Sequence, residues 1–253
     1  MIDYGLLVSV MIGFGLPSAL SWRWGIDQRV APDGASFVDL ALGPAAGAVV
    51  VGRLTTLVLD DPNSIGSLSD MLIIRSGVEV WPGVGAATAL VLWGERRDGL
   101  TAMGRLVALA PLAISGYAGY EASCVFRDGC FGPASTVGFR PEGVATTMVP
   151  VGWLMAVALI VAAAGVRRLH AEGWSAAVVV AAATLAVATI RAIGSIWLPH
   201  VGEGLTRQHL TSIVAAIVAG VLGAALISRD PRTRRTRQHP ANERLKPADQ
   251  ESD

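Results

Sequence analysis

The chain has 253 residues, of which 52% are hydrophobic and only 16% are charged, and its 20 basic and 20 acidic side chains cancel in net charge. Its mean hydropathy is +0.52. This composition excludes an ordinary soluble domain, in which about a quarter of the residues are charged. We therefore expect a protein embedded in a membrane, with no nucleic-acid partner.

Seven mostly apolar runs approach the length of about 18 to 22 residues that crosses a hydrocarbon core of about 30 Å. A soluble helical protein would need polar faces on these segments, and the runs have almost none. The sequence therefore predicts an all-α integral membrane protein, a bundle of seven transmembrane helices. In chain order the runs are residues 5–22, 39–59, 78–93, 101–120, 144–166, 174–198 and 205–227.

Arginines are distributed unequally between the connections, and this predicts the orientation. They follow the first, third, fifth and seventh runs, and arginine-rich loops face the cytoplasm. The N-terminus is then outside and the C-terminus cytoplasmic. Residues 1–227 form the transmembrane domain, and the basic and polar tail 228–253 is predicted to be disordered at the inner surface. The arginines are Arg23, Arg29, Arg96, Arg97, Arg167, Arg168, Arg229, Arg232, Arg234, Arg235 and Arg237.

The second run contains an arginine, Arg53, within an apolar segment. An arginine at membrane depth costs about 3 kcal/mol or more, so it normally faces a bundle interior and serves a ligand or ion. At about 1.5 Å per residue, Arg53 lies roughly 20 Å from the cytoplasmic surface. We expect it to meet the phosphate of an outer-leaflet lipid. The alternative is that its side chain extends to the outer surface.

The connection between the fourth and fifth runs holds the only two cysteines, Cys124 and Cys130. Because the predicted topology places this loop in an oxidising compartment, we expect a structural disulfide. A reactive thiol is the alternative, with Arg127 as the nearby cation. Two cysteines with no nearby histidine fall short of a zinc site, and phosphate-loop and dinucleotide motifs are missing from the sequence. We therefore expect no metal and no cofactor.

The sixth run contains a second arginine, Arg191, roughly 25 Å from the cytoplasmic surface by the same rise per residue. We treat it as a cation without a counter-ion that meets a lipid phosphate, with extension to the outer surface as the alternative. His200 and His209 flank the loop that follows. Each would accept a proton near neutral pH. A histidine without a role at the membrane interface is the alternative.

Four segments of the chain resemble the prolipoprotein diacylglyceryl transferases, which are seven-helix inner-membrane enzymes. Gly52-Arg53 matches the Gly-Arg at the outer end of the family's second conserved helix. Residues 124–132, CVFRDGCFG, are similar to the family's loop. Arg191 falls where the family has the first arginine of Arg-x-x-x-Glu-x-x-Arg. Residues 204–211, GLTRQHLT, resemble the Gly-Leu-Ser-x-Gly-Gln-x-x-Ser segment that begins the last helix.

This resemblance implies a multi-pass protein of the bacterial inner membrane. Its activity would move a diacylglyceryl group from phosphatidylglycerol, or another anionic phospholipid, to the cysteine of a prolipoprotein signal peptide. The implied roles are lipid phosphate binding for Arg53 and Arg191 and a place along the substrate loop for Arg127, Gly132 and Gln208. His200 and His209, which lie nearby in the chain, are our candidates for proton transfer.

The sequence departs from the family at five positions. The family's histidine aligns with Trp81, its loop arginine with Glu121, and its loop glutamate with Gly129. The glutamate and second arginine of the sixth-helix motif align with Ser195 and Leu198. A second hypothesis is therefore a membrane protein of the same fold that binds lipid without catalysis. A small transporter or channel is a third, and it would need broken helices or paired intramembrane charges on several spans.

Overall fold

The computed structural model describes residues 4–24, 37–60, 62, 79–98, 101–127, 130–141, 143–198 and 205–229. Most of these residues are helical. The helices are α1 (Tyr4–Trp24), α2 (Phe37–Asp60), α3 (Val80–Asp98), α4 (Ala102–Cys124), α5 (Val151–Ala171), α6 (Ala176–Trp197) and α7 (Arg207–Arg229). A 3-10 turn, Val125–Arg127, and one strand, β1 (Ala134–Phe139), lie between α4 and α5. Each helix overlaps one of the seven predicted runs.

Five of the described helices are long and apolar enough to cross a membrane. Their surfaces are apolar as well: Val161 on α5 is 67% exposed and Val221 on α7 is 65% exposed. Such faces are stable against lipid and costly against water. The chain therefore has the features of a multi-pass membrane protein. The five segments are Leu40–Asp60, Ala102–Cys124, Val151–Ala171, Ala176–Trp197 and Arg207–Arg229, and α3 adds the shorter apolar stretch Val80–Gly94.

Neighbouring helices pack in pairs, α2 with α3, α4 with α5 and α6 with α7, and α1 packs on α4. Glycine permits the closest approaches between helices. A Cβ at Gly83 of α3 would lie 2.7 Å from the Ala48 carbonyl oxygen of α2, and one at Gly119 of α4 would lie 2.9 Å from the Ile12 carbonyl oxygen of α1. Small residues at such contacts let membrane helices approach closely.

The apolar core lies between α4, α5 and α6, where Val107, Ala118, Leu159 and Val179 are almost completely buried. Helix α4 also contacts α6 directly. These contacts fix the relative positions of α4 and α6, and the polar side chains near the ends of those two helices are held with them.

Between α4 and α5, residues around β1 pair with residues 147–149, which was not predicted from the sequence. Ser135 N of β1 donates to Thr147 O at 2.8 Å, and Val149 N donates to Pro133 O at 3.2 Å. The predicted start of the fifth helix at residue 144 was therefore wrong, because α5 begins only at Val151. Pro150 precedes the helix, and proline is tolerated at a helix start because its missing N–H has no intrahelical acceptor there.

Several sequence predictions concern residues outside the described ranges. His200, Gly129 and residues 230–253 of the tail are among them. Residues 228 and 229, which we assigned to the tail, belong to the last turn of α7.

Candidate functional site

Among the described residues, a group of polar contacts between helices lies at one end of the bundle. At this end α2, α4 and α6 finish and α7 begins, since Arg207 bonds to Asp60 and the loop after α4 contacts Trp197. We call it the Cys124 end, after the last residue of α4.

Arg53 and Arg191 lie at similar distances from the Cys124 end. Arg53 precedes the last residue of α2, Asp60, by seven residues, and Arg191 precedes the last residue of α6, Trp197, by six. At the helical rise, each is about 10 Å from the end of its helix.

Arg191 is only 8% exposed and bonds to side chains from two neighbouring helices. Its Nη1 donates to the Tyr117 hydroxyl and, at 3.4 Å, to Oε1 of Glu121, both on α4. Its Nη2 donates to Oε1 of Gln208 on α7 at 2.9 Å. The guanidinium carbon also lies 5.8 Å from the centre of the Tyr117 ring, within the range of a cation–π contact. Arg191 therefore joins α4, α6 and α7.

One prediction for Arg191 was wrong, and so was the alternative to its burial. We treated it as a cation without a counter-ion, but Glu121 pairs with it and is itself only 3% exposed. Glu121 lies just beyond the predicted fourth run, residues 101–120, whereas α4 continues to Cys124. The alternative in which Arg191 extends to the surface also fails, because its side chain is 10% exposed. The pair is neutral as a unit, which lowers the cost of burying each charge.

His209 of α7 contacts Ser195 of α6 next to the Arg191 cluster. His209 is 8% exposed, and its Nδ1 lies 2.6 Å from Ser195 Oγ. The same hydroxyl donates to the Ala192 carbonyl at 2.9 Å. The donor and acceptor roles in this contact depend on the tautomer of the imidazole. In the tautomer that carries its hydrogen on Nδ1, the ring donates to Ser195 Oγ and Nε2 has no hydrogen.

Two neighbouring polar contacts therefore join α6 to α7, Arg191 with Gln208 and Ser195 with His209. Ser195 follows Arg191 by four residues and so lies on the same face of α6, one turn further along. Gln208 and His209 are consecutive on α7, so the two contacts lie within one helical turn of each other.

Helix α3 joins this cluster through Trp81. Its Nε1 donates to Ser212 Oγ at 3.2 Å, and that hydroxyl donates to the Gln208 carbonyl at 2.7 Å. Ser212 is completely buried. Trp81 thus makes a specific hydrogen bond between helices.

A second ion cluster, formed by Arg207 with Asp60 and Glu79, ties α7 to α2 and α3. Arg207 donates to both carboxylate oxygens of Asp60, at 3.1 and 3.0 Å. It also donates to Oε1 of Glu79, with the shorter contact at 2.6 Å. The backbone N–H of Glu79 in turn donates to Thr56 Oγ1 and to the Gly52 carbonyl of α2. This cluster holds the start of α7 against the α2–α3 pair.

Arg53 is buried, at 6% exposure, on α2. It directly follows Gly52, whose carbonyl accepts the Glu79 N–H. Within the described residues, the hydrogen bonds of Arg191 go to Tyr117, Glu121 and Gln208 and do not include Arg53. A cleft that both arginines line stays a prediction.

The loop after α4 lies against the Arg191 cluster. Cys124 and Cys130 form a disulfide with their Cα atoms 5.7 Å apart. Cys130 Sγ lies 4.0 Å from Oε2 of Glu121. A Cβ at Gly132 would lie 2.6 Å from Val151 Cγ2 and 3.3 Å from the Trp197 carbonyl oxygen. Gly132 therefore permits close packing of the loop on α5 and α6.

Two predicted site residues have no described side chain. Arg127 ends the 3-10 turn, but its side chain lies outside the described part of the structure, as does the whole of His200. Among the residues that the structure describes, no three His, Cys, Asp or Glu side chains meet as a metal site would require.

Two residues that contact Arg191 or its neighbours, Tyr117 and Ser212, were not predicted from the sequence. Trp81, Glu121 and Ser195 were singled out only by their alignment with family positions. The available signal was Tyr117 and Glu121, four residues apart on one face of an otherwise apolar helix.

No protein-family model matches this sequence, and no curated protein matches it.

Proposed function

We propose that this protein is a membrane transferase that moves a diacylglyceryl group from an anionic outer-leaflet phospholipid, such as phosphatidylglycerol, to a cysteine thiol of a lipoprotein signal peptide. The observation that carries the proposal is the pairing of His209 with Ser195 within one helical turn of the buried Arg191. A proton acceptor and a cation are thereby held together in a region of low dielectric.

The reaction needs both groups. The acceptor sulfur attacks a glycerol carbon of the lipid, the S–C bond forms, and the C–O bond to the phosphate breaks. Glycerol phosphate leaves with that electron pair, and Nε2 of His209 takes the thiol proton. Arg191 stabilises the charge that develops on the departing phosphate. Its bonds to Tyr117, Glu121 and Gln208 leave further N–H groups of the same guanidinium for phosphate oxygens.

The resemblance to the diacylglyceryl transferases supports a rebuilt site. Three of the positions at which the chain departs from the family are Trp81, Glu121 and Ser195. Trp81 bonds to Ser212, Glu121 to Arg191, and Ser195 to His209. Glu121 thus pairs with the retained arginine, while Trp81 and Ser195 bond to side chains of α7 beside it. The departures from the family therefore lie in the same polar cluster as Arg191.

The proposal includes the predicted topology. Helices α1 and α3 complete seven spans, the N-terminus is outside, and the C-terminus is in the cytoplasm of a bacterial cell. The Cys124 end then faces outward. A reporter fused after Ile227 should be active only in the cytoplasm, and one inserted at Asp61 only outside. Opposite results at either position would reverse the orientation.

Turnover is tested with the full chain in phosphatidylglycerol vesicles and a synthetic peptide that carries a lipobox cysteine. Mass spectrometry of the peptide should show addition of a diacylglyceryl group. His209→Gln, which keeps a polar side chain but removes the base, should lower the rate about 100-fold or more. His170→Gln is the matched control, because His170 is exposed at the opposite end of the bundle. If the peptide stays unmodified in the presence of the wild-type protein, the proposed transferase activity is rejected.

A second candidate is a lipid-binding membrane protein without turnover. The observation that favours it is the Glu121–Arg191 pair, which neutralises the cluster in the absence of a ligand. Phosphatidylglycerol binding that depends on Arg191, together with an unmodified peptide, would select this candidate.

A further inference from the structure

The disulfide of the loop touches the carboxylate that holds Arg191. Cys130 Sγ is 4.0 Å from Oε2 of Glu121, while Oε1 of the same carboxylate accepts from Arg191 Nη1 at 3.4 Å. One side chain, itself 3% exposed, therefore lies between the sulfur and the guanidinium. The Cys130 carbonyl also accepts from Gly152 N at 3.1 Å, which fixes the loop on α5.

We propose that reduction of the Cys124–Cys130 disulfide weakens the ion pair between Glu121 and Arg191. The affinity of the Arg191 site for an anionic lipid then depends on the redox state of the loop. This inference rests on the proposed binding of an anionic lipid by Arg191. A disulfide sulfur has no hydrogen to donate, so in the oxidised protein the contact with Oε2 supplies no hydrogen bond. A thiol at the same position has a hydrogen and is able to donate it to Oε2.

The redox step uses a dithiol as the reductant. The S–S bond of the protein breaks, Cys124 and Cys130 each gain a hydrogen, and the two sulfurs of the reductant join in a disulfide. Both cysteines are only partly buried, so a small dithiol reaches them. The new Cys130 S–H then donates to Oε2 of Glu121, and the carboxylate shares its charge between the thiol and Arg191.

The backbone keeps the sulfur in place when the disulfide breaks. The Cys130 carbonyl accepts from Gly152 N of α5, and this hydrogen bond does not depend on the covalent bond to Cys124. The thiol therefore stays beside Oε2 of Glu121. Weaker attraction from Glu121 leaves more of the Arg191 charge for a phosphate. The reduced protein therefore binds anionic lipid more tightly than the oxidised one.

The test is titration of the purified full chain, in detergent, with phosphatidylglycerol before and after treatment with dithiothreitol. Maleimide labelling counts the free thiols in each state. Reduction should raise the affinity about threefold to tenfold, as expected for one hydrogen bond from a weak donor to a charged acceptor. Cys124→Ala leaves a free Cys130 thiol and should bind like the reduced protein without any reductant.

Two variants provide controls. The chain has only two cysteines, so Cys124→Ala/Cys130→Ala should not respond to dithiothreitol at all. Glu121→Gln should bind lipid with an affinity that is independent of redox state. Equal affinities for the oxidised protein and for unlabelled reduced protein, with full reduction shown by labelling a separate sample, would overturn the redox inference and leave the lipid site standing. No binding in either state would overturn the proposed function as well.

Discussion

Arg191 and Arg207 are both bonded to carboxylates near the Cys124 end, and they differ in burial and in net charge. The Arg191 side chain is 10% exposed and has one acidic partner, Glu121. The Arg207 side chain is 43% exposed and has two, Asp60 and Glu79. One arginine and one acid leave the first cluster neutral, whereas one arginine and two acids give the second a net charge of −1.

This difference separates a candidate ligand site from a structural contact. A phosphate approaching Arg207 meets two carboxylates whose charges exceed that of the arginine, and like charges repel it. A phosphate approaching Arg191 meets a neutral pair and two uncharged side chains, Tyr117 and Gln208. The buried cluster therefore suits an anionic headgroup, and the exposed one stabilises the position of α7 against α2 and α3.

The largest predicted effect is that of removing the acid from the buried pair. Glu121→Ala leaves Arg191 buried without its counter-charge, and breaking a buried pair from one side costs about 3 to 5 kcal/mol. We expect a large drop in the unfolding midpoint in detergent. Glu121→Ala/Arg191→Ala should recover much of that loss, because both charges are then absent. Equal midpoints for wild type and Glu121→Ala would show that the pair contributes nothing.

Arg207→Ala should have a smaller effect, because the Arg207 side chain is 43% exposed and water takes its place beside Glu79, which is 6% exposed. The exposed Arg207–Asp60 pair contributes about 0.2 to 1 kcal/mol and weakens with salt. The difference in unfolding midpoint between wild type and Arg207→Ala should therefore shrink as the salt concentration rises. A loss as large as that of Glu121→Ala, and insensitive to salt, would remove the distinction between the two clusters.

The smallest predicted effect concerns the hydrogen bond by which α3 reaches the buried cluster. Trp81→Phe keeps an aromatic ring but removes the Nε1 donor to Ser212, at a cost of about 1 kcal/mol. Ser212→Ala should cost a similar amount, and the double variant little more than either single one. Additive losses in unfolding free energy would mean that the two side chains act independently.

The positions of the helices could be predicted well from the sequence. A run of apolar residues as long as the membrane is thick is a local signal, and each of the seven runs overlaps a helix. The boundary at α5 was missed because residues 144–149 are also apolar or small, and their return along β1 depends on contacts with residues 133–139. Seven spans and their orientation stay predictions.

The site was predictable only in part. A charge inside an apolar run marks Arg53 and Arg191, since the cost of burying an arginine is independent of the fold. The partners of Arg191 depend on which helices touch. Glu121 was predicted to lie in a loop because the fourth helix was predicted to end at Tyr120. No local pattern in the sequence shows that α4 faces α6. Gln208 came from the resemblance to a family motif and His209 from its place beside the loop after the sixth run, and the structure places both against α6.

Binding of phosphatidylglycerol to Arg191 is the central claim, and titration of matched arginine variants tests it most directly. Arg191→Ala should weaken binding about tenfold or more, and Arg191→Lys should restore only part of it, because an ammonium lacks the planar fork that binds two phosphate oxygens. Arg207→Ala and Arg168→Ala, the latter 82% exposed, should bind as wild type does. Unchanged affinity in Arg191→Ala, or an equal loss in Arg207→Ala, would contradict the account.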